Sequence, residues 1–430
     1  MLQLDQCETA ADCEALSECL DGLCRDTPRV GVTDHIVEDT TWTADNVYVL
    51  ENLIFVVPPA VLTIEPGTTI LGRRNIGLVS LAGARIEAVG TRQDPIVFTS
   101  DRPVGQRVAG DWAGLGLVGL ARTNREGFQL RITVEEGLDV DTRVGGNDDS
   151  WNCGTLRYVR VEFGGSEIDG RKALNGITLA GCGSDTTVEY VQSHMSDDDG
   201  IAVFGGTVDI RYAVSTRARD DAFDMDTAWR GTAQFLAAQF DISGQESFEF
   251  ENLAEDPSAS PQTFGQVYNF TLIGADRTGA HQVGLYNKFG GQGHFSHGIV
   301  QGFGGAGLYV EGPEAAEHTN NGLFTVENTL FFDNGPDGDD HFAMIDPEAG
   351  EDAFVNYGIF EDPETGNRFG LDPGMGDPYN LQEPDWQPAP QNVTGVDPPP
   401  EGFDPTAVYL GAFSPSATPW TEGWTSYPPN

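Results

Sequence analysis

Basic residues are scarce in this chain: 23 Lys and Arg stand against 67 Asp and Glu among 430 residues, a formal net charge of −44. A field of that sign repels phosphate backbones and anionic lipid surfaces, which excludes recognition of nucleic acid or membrane by charge attraction. A solvated acidic surface, cations and neutral or basic partners remain compatible with it. No run approaches the ~20 apolar residues of a membrane-spanning helix. No signal peptide precedes the first cysteine, so Met1 is read as replacing a removed export signal. Helical 3.6-residue apolar periodicity over ten or more residues is nearly missing too, which points to a mostly β chain. No GxSxG elbow, P-loop or HExxH occurs, and the glycine-rich GFGGAG at Gly302 has no helix after it, so nucleotide binding is disfavoured.

Cysteine is rare and clustered. Cys7, Cys13, Cys19 and Cys24 fall within eighteen acidic residues, too few to bury a core, so two disulfides are expected to hold that segment. The gaps between them are wider than the C-x2-C knuckles of common zinc sites. Cys153 and Cys182 each lie shortly before a strand-like stretch (LRYVRVEF and TVEYVQSH), a placement that suits a staple between successive turns of a repeat.

What the chain has in abundance is glycine, 54 residues, and a repeat. NGITLAG from Asn175, DGIAVFG from Asp199, DAFDMDT from Asp221, ESFEFEN from Glu246, HQVGLYN from His281 and AGLYVEG from Ala306 align, with spacings of 24, 22, 25, 35 and 25 residues. Their third and fifth positions are apolar: Ile177 and Leu179, Ile201 and Val203, Phe223 and Met225, Phe248 and Phe250, Val283 and Leu285, and Leu308 and Val310. Period two sends these to one face, where stacked coils would form interior ladders. A second family keeps the same rhythm: RYVRVEF, EYVQSHM, RYAVSTR, FLAAQF, NFTLIG, SHGIVQG and NTLFFDN, beginning at Arg157 and ending near Asn334. The long gap after Glu246 holds the inserted loop ENLAEDPSASPQTF.

Two ladders with one period of about two dozen residues imply an all-β, right-handed parallel β-helix, a solenoid. The expected organisation is a Cys-rich segment over 1–28, the β-helix over 29–332, and a Pro-rich irregular segment over 333–430. Trp420, Trp424 and Tyr427 in that last segment are expected to fold back onto the solenoid as a cap. Capped ends disfavour filament formation through exposed strand edges.

The order TIEPGT, RIEAVGT, PIVFTS, GDWAGL, GGNDDS, GTLRYVRVEFGG, NGITLAG, DDGIAVFGGTV, DDAFDMD, YNFTLIG and the closing GW is similar to a widespread group of bacterial surface β-helix proteins of the pectin-lyase-like class, over about residues 42 to 430. The Cys-rich segment resembles the Dickkopf-like modules near the mature amino terminus of secreted bacterial proteins. The resemblance implies a secreted or outer-surface solenoid; the fold hosts lyases, hydrolases, adhesins and tailspikes, so it implies no single activity.

The chemistry concentrates on carboxylates. Outward positions put Asp224 and Asp226 beside Glu249 and Glu251 on the next coil, while Asp199, Asp221 and Glu246 lead their strands in register, with His281 next in line and Asp197, Asp198 and Asp220 alongside. All-oxygen clusters suit calcium, whereas the leading row is also where Asp caps turns. Paired carboxylates can instead divide general acid and base roles in glycoside hydrolysis. Arg217, Arg219 and Arg230 flank the acidic strands and, with Arg230 foremost, are the basic candidates a lyase would need. The Gly-His-Gly and Arg-Ile-Lys motifs that accompany paired aspartates in polygalacturonases are absent. His294 and His297, three apart in one strand, are expected to face opposite ways. The acidic loop GPDGDDH at Gly335 reads as an exposed turn. The leading expectation is a calcium-stabilised surface protein with a structural role or one in binding a glycan or partner; the alternative is a polysaccharide lyase or glycoside hydrolase using the acidic patch.

Overall fold

The computed structural model describes residues 17–20, 23–129, 142–168, 170, 174–342 and 355–430, with side chains from Thr27 onward. The disulfides expected among Cys7, Cys13, Cys19 and Cys24 lie outside the described residues; the backbone there forms an antiparallel hairpin, Ser17–Leu20 with Leu23–Asp26, in which Cys19 stands opposite Cys24.

From Arg29 the chain winds as a right-handed parallel β-helix, the hand that right-twisted strands impose on parallel crossovers. Each coil contributes to two parallel sheets, a long one of 15 strands and a short one of nine among the described residues. In the short sheet Ile177–Ala180, Ile201–Phe204, Phe223–Asp226, Glu246–Glu251, Val283–Lys288 and Ala306–Val310 stack in order. The long sheet carries Gly154–Glu162, Thr187–His194, Asp209–Thr216, Thr232–Gln239, Phe264–Ile273, Gln292–Gln301 and Phe324–Phe332. Ile177, Ile201, Phe223, Phe248, Leu285 and Leu308 form one interior ladder, each at most 1% exposed.

The long strands bend, and one residue per coil makes the bend. Tyr158, Tyr190, Tyr212, Phe235, Asn269, His297 and Asn328 all have φ between 44° and 63°. Left-handed backbone costs a non-glycine residue roughly 1–2 kcal/mol. Here the first four rings stack at 4.4–4.7 Å, a contact worth about 0.5–1.5 kcal/mol a pair beyond area burial. The bend also resets the alternation of faces. Val188 and Val191 both point inward on either side of Tyr190, whereas Gln192 and His194 point outward. His297 is itself a bend residue, so neither histidine enters the interior: His294 bonds Thr325, and His297 Nε2 donates to the Asp397 carbonyl.

Cys153 and Cys182 are joined, Cα to Cα 5.7 Å, stapling successive coils. Phe342, Tyr357, Phe360 and Phe369 gather on Phe331 and close the last coil. The chain then runs back along the outer face of the long sheet. Val214, Ala237 and Ile273 pack there against Trp386, Ala412 and Phe413. Gln239 donates to the Pro378 and Asn380 carbonyls, Asn269 to that of Tyr409, and His194 to that of Pro428. Gln192 both donates to and accepts from the Ser426 backbone. Trp424, 1% exposed, meets Tyr158 and Tyr190 edge-on, and Trp420 meets Tyr212 likewise. The tail aromatics expected to cap the solenoid thus form a strap along its flank.

Candidate functional site

The outer face of the short sheet is where the strap does not run. Its first coils are covered by an apolar patch in which Phe55, Val79, Val118, Val144, Leu174 and Ala180 are buried. Phe204, half-buried, ends that patch and meets Phe128 edge-on at 6.0 Å. Next come Asp224 and Asp226, then Glu249 and Glu251, with Asp224 in register with Ala202 below and Glu249 above. Tyr286 follows above Glu249, and Lys288 above Glu251. Tyr286 and Tyr309, both half-buried, stack at 5.2 Å to form the far shoulder.

The predicted carboxylates therefore do meet, on one face between two aromatic shoulders. Sequence reasoning missed Lys288, whose ammonium bridges Glu249 Oε1 and Glu251 Oε2. The cause was a register error. Val283 was aligned with Phe248, but Leu285 occupies that place and Val283, not His281, stands above Glu246. Because the slip is two residues it preserved which side chains face out while misplacing their neighbours. Corrected, it also brings buried Asn287 above Phe250 and sets Leu308 beside Leu285 rather than beside Val283.

Crowding and burial disfavour charge on the carboxyls of this face. Burial first, then neighbouring carboxylates, push Asp199, Asp221, Asp224 and Asp226 well above the ordinary range. Glu246 moves the same way, mainly by burial. Burial raises Glu251 to about 7, against the pull of Lys288. For Lys288 itself burial opposes the charge, but Glu249 and Glu251 outweigh it and the ammonium is held more tightly than usual.

The strand-leading row behaves differently. Asp199 Oδ1 accepts from the Asp221 N–H at 3.2 Å and Asp221 Oδ1 from the Glu246 N–H at 3.0 Å, so these residues cap coil to coil. They also converge in two ion-sized groups, Asp198 with Asp199 and Asp220, and Asp220 with Asp221 and Glu246. A donor set of carboxylate oxygens alone fits a hard cation such as calcium. Among the described residues, Asp224, Asp226, Glu249 and Glu251 join no such group.

The arginines are engaged elsewhere. Arg230 makes a bidentate pair with Asp149 at 3.0 and 3.2 Å, Arg217 pairs with Asp241 and Arg219 with Asp197. Among the described residues, Lys288 is the cation paired with outward carboxylates, Glu249 and Glu251.

Fold and face together define a right-handed parallel β-helix carrying one charged, aromatic-edged outer surface. The chain belongs to the pectate-lyase-like β-helix domain family, which it matches over residues 34–357, 324 of its 430 residues. Among solved structures it resembles the Dettilon tailspike protein at 9% identity and a TM-score of 0.29, over 69% of this chain and 60% of the tailspike chain. No curated protein matches it. Among the described residues no helix is long and apolar enough to cross a membrane.

Proposed function

We propose that this is an extracellular or cell-surface β-helix protein that binds a glycan on the outer face of its short sheet, with calcium stabilising the strand-leading carboxylates. The observation that carries the reading is the position of the carboxylate rows, clear of the strap and between the Phe128/Phe204 and Tyr286/Tyr309 shoulders. Tyrosine faces supply apolar area for sugar rings, and carboxylates accept their hydroxyl protons. Titration against neutral, acidic and amino-sugar oligosaccharides is expected to find a binder whose affinity falls at least 10-fold in Tyr286→Ala and Tyr309→Ala. Absence of any binder refutes the glycan reading. For calcium, a melting temperature that rises with the ion and returns with chelator, and does neither in Asp220→Asn, is the expected result; at 100 times its Kd an ion contributes about 2.7 kcal/mol. An unmoved melting temperature leaves the row as turn caps.

One observation favours a second reading, polysaccharide cleavage. Glu251 is held to about 7 beside other carboxylates, the condition a general acid needs. Carboxylates on adjacent coils, about 4.8 Å apart by strand spacing, approach the roughly 5–5.5 Å of retaining glycosidases. Release of reducing ends or unsaturated products, abolished by Glu251→Gln and Asp224→Asn in a folded protein, would establish it. Inactivity across the same oligosaccharides rejects it.

A further inference from the structure

Lys288 displays what chemistry this face accepts. Its ammonium sits between two carboxylates, Glu249 and Glu251, and lies 5.3 and 5.5 Å from the ring centroids of Tyr286 and Phe289. Carboxylates for the charge and ring faces for the desolvated edges make an ammonium cage.

One coil earlier the carboxylate pair recurs without its lysine. Asp224 and Asp226 stand in register below Glu249 and Glu251, over Ala202 and Phe204. In each of the two, Oδ1 is buried and has no hydrogen-bond partner. A buried carboxylate oxygen left so forfeits roughly 1–3 kcal/mol or more of solvation, which a donor from outside would restore. The nearby guanidinium groups are committed: Arg125 to Glu255, Arg219 to Asp197 and Arg230 to Asp149. A divalent ion is a poor occupant, because it needs converging oxygens and, among the described residues, these two are in neither ion-sized group. A directional N–H donor on a carbon skeleton fits two carboxylates beside the Phe204 ring.

We propose that Asp224 and Asp226 form the recognition position for a ligand ammonium, so that the glycan taken by this face is an amino-sugar polymer with unacetylated amines. The proposal rests on the glycan-binding reading above. It adds that a ligand ammonium at this coil relieves the repulsion among Asp224, Asp226 and their neighbouring carboxylates, and the shoulders hold the neighbouring sugar rings.

The test is calorimetric titration of the full chain at pH 6 and physiological salt with glucosamine tetramer, its N-acetylated counterpart and a glucose tetramer. Glucosamine tetramer is expected to bind at least 10-fold more tightly than the other two, and Asp224→Asn/Asp226→Asn to remove that preference, bringing the three tetramers to within about twofold of one another. The double variant changes at most two charges on a chain of formal net charge −44, so general attraction of a polycation survives in it and cannot imitate the result. Neutral amides also relieve carboxylate crowding, so the variant is expected to fold, with melting monitored by circular dichroism. Equal binding of all three tetramers, lost in Tyr286→Ala, overturns the ammonium assignment and leaves glycan binding standing. Calcium that binds the wild type, fails to bind the Asn variant and displaces the tetramer overturns it in favour of a metal. Binding of none of the three refutes both.

Discussion

Replacing Glu251 by glutamine is expected to change how stability depends on pH, in a direction the geometry fixes. Its carboxyl goes from an ordinary 4.5 to about 7 on folding because it is buried. A carboxyl with a raised folded value stabilises the fold fully below pH 4.5, and that contribution is lost as pH climbs through 7. At 1.36 kcal/mol per pH unit the full loss is about 3 kcal/mol, a ceiling because Glu249 and Lys288 titrate with it. Buried histidines oppose this: His194, lowered to about 4 by burial, stabilises above pH 6.5 and costs stability as pH falls toward 4. The raw wild-type profile therefore mixes both signs. The difference between Glu251→Gln and wild type isolates one, because His194 is common to both. With unfolding entropy near 2.1 cal/mol/K per residue, about 0.9 kcal/mol/K for this chain, the variant is expected to gain about 3 °C on wild type between pH 4.5 and pH 8. Calorimetric melts at half-unit pH steps give the comparison. Profiles parallel to within 1 °C would show that Glu251 is not desolvated as described.

Three further perturbations address the scaffold. Cys153→Ser with Cys182→Ser opens a link between residues 29 apart in sequence and is expected to cost about 3–4 kcal/mol, read as a lower melting temperature that reductant no longer alters. An unchanged melting temperature would mean the staple constrains nothing. Trp424→Ala removes a buried ring from Tyr158 and Tyr190, a loss of about 3–5 kcal/mol borne locally by the strap. The tail then becomes protease-sensitive while the far-ultraviolet β signal persists; equal cleavage of variant and wild type argues against this packing. Phe248→Ala, inside the ladder and against Phe223 and Phe295, is expected to lower the melting temperature of the whole solenoid by a similar free energy, and a local effect alone would contradict a continuous core.

Part of the site was legible because it follows from periodicity. Asp224, Asp226, Glu249 and Glu251 alternate with Phe223, Met225, Phe248 and Phe250, so their outward placement required only a strand and a buried partner face. Lys288 was not legible. The inserted loop between Glu251 and Val283 breaks the repeat count, and hydrophobic alternation cannot distinguish registers that differ by two. Only the pairing of Phe248 with Leu285 puts the ammonium over Glu251.

The arginines show the same limit. Arg230 lies four residues from Asp226 in sequence, yet it turns to Asp149, a residue 81 positions earlier on a loop that no repeat constrains. His294 and His297 depend on a left-handed residue that resets alternation, and an ordinary strand pattern carries no mark of it except as a column of aromatics whose stacking offsets the backbone cost.

What the sequence by itself determined is the coil: apolar residues every second position, repeated every two dozen, have one way to be buried together, and that is a parallel stack. What the tertiary structure alone decided is which outer face stays open. The Pro-rich tail has no periodicity to assign it a side, and its path follows from side chains far apart in sequence, Gln192, Gln239 and His297 among them, that bond its backbone carbonyls. By covering the long sheet it leaves the outer face of the short one open, an outcome set by contacts between residues 100 to 234 positions apart and written in no local pattern.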